Sequence, residues 1–193
     1  MPILTNERIT QLLKPYLDSL PETLVPQLSL YLDLLMKWNA RTNLTAIREP
    51  EEIVRRHFGE SLFASIHLPE ASTLLDFGSG AGFPGLPIQL LRPELMVTLA
   101  ESQNKKATFL REAVRTLGLK TIIWADRVEA MPASAQFDIV TLRAVDRMDV
   151  ALAAGEPRVR PGGVLAVLAA SSGDPTDIAI PNTESSVLKL RQL

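Results

Sequence analysis

A glycine-rich stretch at residues 74–85, Leu-Leu-Asp-Phe-Gly-Ser-Gly-Ala-Gly-Phe-Pro-Gly, narrows the possible folds of this chain more than any other segment. A short apolar run ends in Asp76 and then breaks into glycines. Because glycine permits positive φ and carries no Cβ, this pattern is typical of a buried strand that stops where the backbone must approach a ligand. A second apolar run, 96–100, ends in Glu101. A glycine turn after one strand and an acid after the next predict a nucleoside-binding α/β fold.

From Thr73 onward, strand-like and helix-like patterns alternate, which predicts a mostly parallel, Rossmann-like sheet. A helix over 104–118 separates the second and third strands, and 160–163 form a tight turn into the fifth. Residues 171–186 are expected to be a loop before a last strand at 187–190. The five main strands are placed at 73–77, 96–100, 121–125, 137–142 and 163–169.

Residues 1–68 have helical periodicity, and they are expected to pack directly on a main domain formed by 69–193. Asparagine and threonine are frequent in 38–45, which favours a turn there. Three helices are predicted: one capped by Thr5 or Asn6 and interrupted by Pro15, one over 26–39 and one that begins at Pro50.

The composition excludes several classes of protein. With 193 residues, 46% of them hydrophobic, the chain suits one domain with a large core. A net charge of −2 argues against a strongly basic nucleic-acid binder but leaves room for local basic patches. The absence of cysteine excludes disulfides, cysteine-ligated metal sites and a cysteine nucleophile, and no metal site is expected. Neither a signal peptide nor a membrane span is recognisable, so we expect a soluble, cytoplasmic protein with the monomer favoured.

Two cofactor classes use a loop of this kind. Residues 80–85 fit the dinucleotide pattern G-x-G-x-x-G, but Pro84 removes one N–H and Phe83 is bulky where the backbone should approach a pyrophosphate. The frame 76–82 suits S-adenosylmethionine better, because that ligand has no phosphate. Asp76 could then approach its ammonium group, directly or through water, and Glu101 could accept both ribose hydroxyls. A glycine turn that only closes a strand–helix joint is the third interpretation.

The ends of the third and fourth strands complete the predicted crevice. Val128 could face an adenine ring while the backbone at 128–129 pairs with its edge. Arg143 follows the fourth strand, where it could contact a ligand or form a salt bridge with Glu101 or Asp76.

Several motifs occur together in this chain: Trp38-Asn39-x-x-x-Asn43-Leu44-Thr45-Ala46-Ile47, Arg56-His57-x-x-x-Ser61-Leu62, Asp76-x-Gly78-Ser79-Gly80-Ala81-Gly82-Phe83-Pro84-Gly85, Lys105-Lys106-x-x-Phe109-Leu110, Arg127-Val128-Glu129 and Arg143-Ala144. Together they make the chain resemble the RsmG (GidB) family over about residues 28–168. The resemblance implies bacterial enzymes that use S-adenosylmethionine, on a Rossmann-like sheet with an N-terminal helical part, to methylate N7 of one guanine in small-subunit (16S) ribosomal RNA. It also implies cofactor contacts by Gly78, Phe83, Val128, Glu129 and Arg143.

The chain departs from the family pattern in three places. Glu60 stands where the family usually has aspartate, and Ala169-Ala170-Ser171 replace an expected Lys-Gly pair. The tail from residue 172 lacks the usual basic closing strand. The last two changes fall on the side where substrate would sit, so they bear on RNA affinity or substrate identity.

The chemistry of guanine N7 agrees with the resemblance. N7 already carries an in-plane lone pair, so no general base is obligatory, and catalysis would depend on holding the reactants in line. No catalytic residue is therefore assigned. The fourth strand is not followed by the Asn/Asp-Pro-Pro-aromatic loop that often accompanies methylation of exocyclic amines, and C5 methylation of pyrimidines needs a cysteine. A different substrate for the same cofactor, or an RNA-associated protein without turnover, are the alternatives.

The candidate residues form a cofactor set and a substrate set. The expected partner is small-subunit RNA or the 30S particle. Arg111 and Arg115 lie opposite the apolar face of their helix and are expected to be solvated, whereas His57 and Trp38 are expected in the core. The cofactor set is Asp76, Gly78, Gly80, Gly82, Phe83, Glu101, Val128, Glu129 and Arg143. The substrate set is Asn39, Asn43, Arg143 and Arg147. Further basic candidates are Lys37, Arg41, Arg48, Arg55, Arg56, Lys105 and Lys106.

Overall fold

The computed structural model describes residues 2–143, 147–171 and 173–193. Within them, seven strands form one sheet in the order β3-β2-β1-β4-β5-β7-β6. The first five strands pair in parallel, and β7 runs antiparallel to both β5 and β6. This confirms the Rossmann-like, mostly parallel sheet. The strands are β1 (Thr73–Phe77), β2 (Met96–Ala100), β3 (Ile122–Trp124), β4 (Phe137–Arg143), β5 (Val159–Ala170), β6 (Ile178–Ala179) and β7 (Ser186–Gln192).

Helices flank both faces of the sheet. The first helix begins where the Thr5 side chain accepts from the Arg8 N–H, and it ends two residues before Pro15, as predicted. None of the helices in the described ranges is long and apolar enough to cross a membrane. The helices are α1 (Asn6–Leu13), α2 (Leu24–Asn39), α3 (Pro50–Glu52), α4 (Glu60–His67), α5 (Gly85–Leu91), α6 (Asn104–Leu117) and α7 (Met148–Gly155), with a π-helical segment, Ile53–Gly59, joining α3 to α4.

Alternation along the strands divides the core into two clusters. Leu74 and Ile139 face the cluster built with the N-terminal helices, whereas Leu75 and Val140 face the cluster beneath α7. Successive side chains of a strand point to opposite faces, so a strand buried on both sides is apolar throughout. The N-terminal helices therefore share one continuous core with the sheet.

The structure differs from the sequence-based elements at three points. β5 begins at Val159 instead of 163, because the register with β4 jumps from Phe137↔Val159 to Ile139↔Val164 and the predicted turn becomes a bulge. The segment after Pro50 becomes π-helical from Ile53, which the apolar spacing did not indicate. The two-residue β6 lies within the expected loop.

Candidate active site

The glycine loop between β1 and α5 is tied to the sheet by the buried carboxylate of Asp76. Its Oδ2 accepts from the Gly85 N–H at 3.1 Å, and its Oδ1 accepts from the Thr141 hydroxyl at 2.9 Å. Burial raises the pKa of Asp76 to about 6, against the lowering effect of these hydrogen bonds. The side chain is fully buried, so the structure places Asp76 beneath the loop and not at a ligand surface.

A second carboxylate, Glu101 at the end of β2, holds the loop from the other side. Its Oε2 accepts from the Gly80 N–H at 3.0 Å, and its Oε1 accepts from the Gln103 N–H at 2.7 Å. The residue is 6% exposed. Because each carboxylate oxygen has a second lone pair, Glu101 keeps acceptor capacity beyond these two bonds.

Most backbone N–H groups of the glycine loop already donate hydrogen bonds within the protein. Their acceptors are the Asp76 and Glu101 carboxylates and the Ser79 carbonyl. A pyrophosphate needs free N–H groups and would meet buried negative charge here, so the geometry disfavours a dinucleotide. The donors concerned are the N–H groups of Gly80, Gly82, Phe83 and Gly85.

An open cleft of about 300 Å³ lies at the carboxyl ends of the first three strands. Gly78 has a φ of 68° and is exposed there, and Val128 lies in a 3₁₀ turn that forms part of the cleft. The structure thus brings together four residues of the two candidate sets: Gly78, Val128, Glu129 and Arg147. The cleft also has lining residues outside the two candidate sets: Phe77, Ala100, Ser102, Asp126, Arg127, Val150 and Ala151.

Phe83 lies away from this cleft. Its ring stacks on His57 with a centroid distance of 4.5 Å and on Tyr31 at 5.5 Å, and it is 7% exposed. The Tyr31 hydroxyl donates to the Ala81 carbonyl, which fixes the loop against α2. Phe83 therefore joins the loop to the helical layer.

Arg143 has a different partner from those predicted. Its Nη2 forms an ion pair with Glu60 at 2.8 Å and donates to the Arg56 carbonyl at 2.7 Å. The alternative of a salt bridge is observed, but with Glu60 instead of Glu101 or Asp76, because the π-helical segment places Glu60 beside the end of β4. Glu60 also pairs with Arg56 at 2.9 Å. The i,i+4 spacing of these two residues is the sequence feature that could have indicated an ion pair at Glu60.

A second cavity of about 510 Å³ is lined by this ion pair. It lies between the π-helical segment and the ends of β4 and β5. The second cavity is lined by Ile47, Arg56, His57, Glu60, Arg143, Met148, Leu168, Ala169, Ala170, Ser185 and Ser186. The departure from the family pattern at 169–170 thus falls on its wall.

His57 is a neutral member of this wall. Thr45 Oγ1 accepts from the Ile47 N–H at 3.3 Å and shares a further hydrogen bond with His57 Nε2 at 2.7 Å. His57 Nδ1 is buried and has no partner within the described ranges. Burial, reinforced by Arg143 and Arg56, lowers the pKa of His57 to about 2.

The two asparagines of the substrate set have different roles. Asn39 is 3% exposed, and its side chain bonds the Leu44 N–H at 3.0 Å, the Thr45 N–H at 3.1 Å and the Ile47 carbonyl at 3.3 Å. Asn43 is exposed and accepts only from the Arg48 guanidinium among the contacts described for its side chain. Asn39 therefore shapes the turn, and Asn43 is the one available to a ligand.

Replacing Asn39 with alanine should lower the free energy of unfolding by about 2 kcal/mol, since two inward-facing N–H groups lose their acceptor. Asn43→Ala is the matched control, and it should change stability by less than about 0.5 kcal/mol because the side chain is exposed. Urea denaturation monitored by tryptophan fluorescence measures both. Equal losses for the two variants would contradict the assignment.

The remaining basic candidates are mostly dispersed. Arg55 pairs with Glu51 and Glu52, while Arg111 and Arg115 are exposed on α6, as expected. Trp38 packs edge-on against Phe109, which agrees with its predicted place in the core.

The sheet order, the glycine loop and the cleft at the strand ends define a Rossmann-like methyltransferase. Solved structures share this fold. The 16S rRNA N2 methyltransferase of Thermus thermophilus, in complex with AdoMet and guanosine, aligns over 90% of this chain and 43% of its own, with TM-score 0.52 and 19% identity. The N-methyltransferase NodS of Bradyrhizobium japonicum aligns over 70% and 93%, with TM-score 0.53 and 15% identity.

Sequence comparison then specifies the family. The model of the GidB family, rRNA small subunit methyltransferase G, matches residues 24–190. Proteins named ribosomal RNA small subunit methyltransferase G from Stenotrophomonas maltophilia and Xanthomonas euvesicatoria are 46% and 44% identical, covering 76% and 77% of this chain and 69% and 70% of their own. The chain belongs to this family of S-adenosylmethionine-dependent rRNA methyltransferases, which confirms the resemblance.

Proposed function

We propose that this enzyme methylates N7 of a guanine in small-subunit ribosomal RNA, with S-adenosylmethionine in the cleft between Gly78 and Val128–Glu129. The proposed cofactor site is supported by one observation: these residues line the same cleft at the ends of the strands. We expect the protein to act in the cytoplasm as a monomer, with residues 1–68 as a helical part of the same unit.

The residues of the cleft fit that cofactor. Gly80 has a φ of 59°, and a Cβ there would find only the Gly78 carbonyl, at 3.9 Å, so the loop leaves space on this side. Val128 offers an apolar surface for a purine ring. Asp126 and Glu129 give this part of the cleft a negative charge, which favours a cationic ligand over one that carries phosphates. When bound, S-adenosylmethionine supplies an electrophilic methyl group.

The proposal of N7 rests on the family and on the chemistry of the acceptor. Methylation of an amino group needs a proton to be removed, and neither His57, whose pKa burial lowers to about 2, nor the fully buried Asp76 is suited to that role. Guanine N7 has a lone pair without deprotonation. The protein then has to hold N7 in line with the methyl carbon and the sulfur, and such positioning can lower the activation free energy by several kcal/mol.

RNA is expected to approach along the local basic groups. Arg147 lies in the cleft, and Arg56 has a side chain 45% exposed at the second cavity. Asn43 adds an exposed polar group. Cationic contacts to phosphates give affinity that falls with salt, so binding should weaken as salt rises.

The function is tested by incubating the protein with tritiated S-adenosylmethionine and 30S subunits or naked 16S RNA from a strain that lacks its own enzyme. Label in 7-methylguanine after nucleoside analysis is the expected result. Label on an exocyclic amine or a pyrimidine would overturn the N7 assignment. Tight cofactor binding without transfer to either RNA would favour an RNA-associated protein without turnover, for which the altered 169–171 wall is the motivating observation.

Replacing Glu101 with alanine should weaken binding of S-adenosylhomocysteine by about 2 kcal/mol, because the ribose hydroxyls and the Gly80 N–H lose an acceptor. Isothermal titration calorimetry measures this. Glu94→Ala is the matched control, since Glu94 lies before β2 at the opposite end of the strand and its side chain is 66% exposed.

A ribose contact and a loosened loop can be separated with the 2′-deoxy analogue of S-adenosylhomocysteine. If Glu101 bonds the hydroxyl, the wild-type protein loses affinity for the analogue and Glu101→Ala does not distinguish the two ligands. Equal discrimination by both proteins removes Glu101 from the ribose site.

A further inference from the structure

The second cavity combines a buried ion pair with apolar walls. The Arg143 and Glu60 side chains are 10% and 4% exposed, and their contact of 2.8 Å places a donor group beside an acceptor group. Arg143 Nη1 is buried without a hydrogen-bond partner in the ranges that the structure describes. Buried donors are normally satisfied, so an unsatisfied one that belongs to a cavity-lining side chain points to a ligand.

The walls suit a flat aromatic ring better than an anion. Ile47, Met148 and Leu168 line the cavity, and its volume of about 510 Å³ is sufficient for a purine. A phosphate would be drawn by Arg56 and Arg143, but it would also meet the negative charge of the Glu60 carboxylate, which pairs with both guanidinium groups.

The order of donor and acceptor matches one of the two purines. The Watson–Crick edge of guanine presents the O6 acceptor, then the N1–H donor, then the N2 amino donor. The adenine edge presents the opposite order, an amino donor followed by an acceptor. An arginine donor next to a carboxylate is therefore complementary to guanine and mismatched to adenine. Enzymes that act on an extruded base commonly read this edge.

We infer that the second cavity receives the target guanine, with Arg143 donating to O6 and Glu60 accepting from N1–H and the N2 amino group. This arrangement rests on the proposed function and adds to it. It leaves N7, on the other edge of the ring, unbonded and available as the methyl acceptor. The cavity is built from the end of β4, and the first cleft includes Arg147 shortly after that end, so both sites lie at the carboxyl edge of the sheet.

The test replaces the mapped target guanine with inosine, which keeps N7, O6 and N1–H but lacks the N2 amino group. Wild-type kcat/KM should fall by about 10- to 100-fold, the discrimination expected for half of a bidentate contact to a charged group. Glu60→Gln should methylate both RNAs at similar, low rates. Glu52→Gln is the matched control, because Glu52 lies on the preceding helical turns and pairs with Arg55. It should discriminate as the wild type does.

A second variant probes the cavity without touching the ion pair. Ser185 is exposed and lines the cavity, so Ser185→Trp should block it and reduce methyl transfer at least about tenfold, while affinity for S-adenosylhomocysteine stays unchanged. The neighbouring exposed Glu184→Trp controls for surface tryptophan. This arm decides the question if Glu60→Gln does not fold.

Equal use of guanine and inosine by the wild type, or full activity of Ser185→Trp, overturns the inference while the proposed function stands. Competition by inorganic phosphate but not by guanosine would assign the cavity to the RNA backbone and also overturn it. Absence of label on any guanine overturns the inference and the proposed function together.

Discussion

Replacing Gly82 with alanine should lower the free energy of unfolding by about 3 kcal/mol, from backbone strain and overpacking together. Gly82 has a φ of 94°, and a Cβ there would lie 2.5 Å from Leu86 Cδ1 and 2.7 Å from the Tyr31 hydroxyl. The tyrosine cannot move away without breaking its hydrogen bond to Ala81. Urea denaturation measures the stability. Titration of the same protein preparation, without urea, measures its affinity for S-adenosylhomocysteine, which should also fall.

The control for this variant is Gly118→Ala. Gly118 has a φ of 65°, but no atom lies within 4 Å of the added Cβ. The Gly118→Ala variant should therefore lose only the stability that left-handed backbone strain costs, about 1 kcal/mol. If the two variants lose the same stability, the contacts with Leu86 and Tyr31 do not restrict the loop.

Asp76 should make stability depend on pH in an unusual direction for a carboxylate. Burial raises its pKa from 3.8 to about 6, so the folded state binds the proton more tightly than the unfolded state. The stabilising contribution is complete below pH 3.8 and is lost as pH rises through about 6. The shift corresponds to about 3 kcal/mol.

Asp76→Asn isolates this effect, because the amide can still accept from Gly85 and stays neutral at every pH. Relative to this variant, wild-type stability should fall by about 2 kcal/mol between pH 4 and pH 7, because part of the contribution is already lost by pH 4. Asp18→Asn, at an exposed carboxylate, controls for the loss of one negative charge. A wild-type minus Asp76→Asn difference that stays constant over this range would show that Asp76 is not buried as a carboxylate.

The sheet could be predicted from the sequence because its signals are local. Short apolar runs and glycines predicted the boundaries of the five parallel strands to within a few residues. The predicted strand ends then placed Gly78, Val128, Glu129 and Arg147 at one edge of the sheet. The family motifs indicated the family, and the comparisons confirmed that membership.

The orientation of side chains around the loop could not be predicted in this way. Spacing puts Asp76 and Glu101 at strand ends, but it does not say that both turn towards loop N–H groups. The Arg143–Glu60 pair joins residues 83 positions apart, and only the packing of the π-helical segment on β4 brings them together. Phe83 was assigned to the cofactor by motif, whereas its ring lies among aromatic side chains.

The stack of Phe83 on His57 connects the two sites. His57 belongs to the wall of the second cavity, and Phe83 belongs to the loop beside the first cleft. A ligand that moves the histidine ring changes the contact that holds Phe83, so this pair of rings links the two sites. Thermodynamic linkage then requires that RNA alter the affinity for the methyl donor by the same factor by which the donor alters the affinity for RNA.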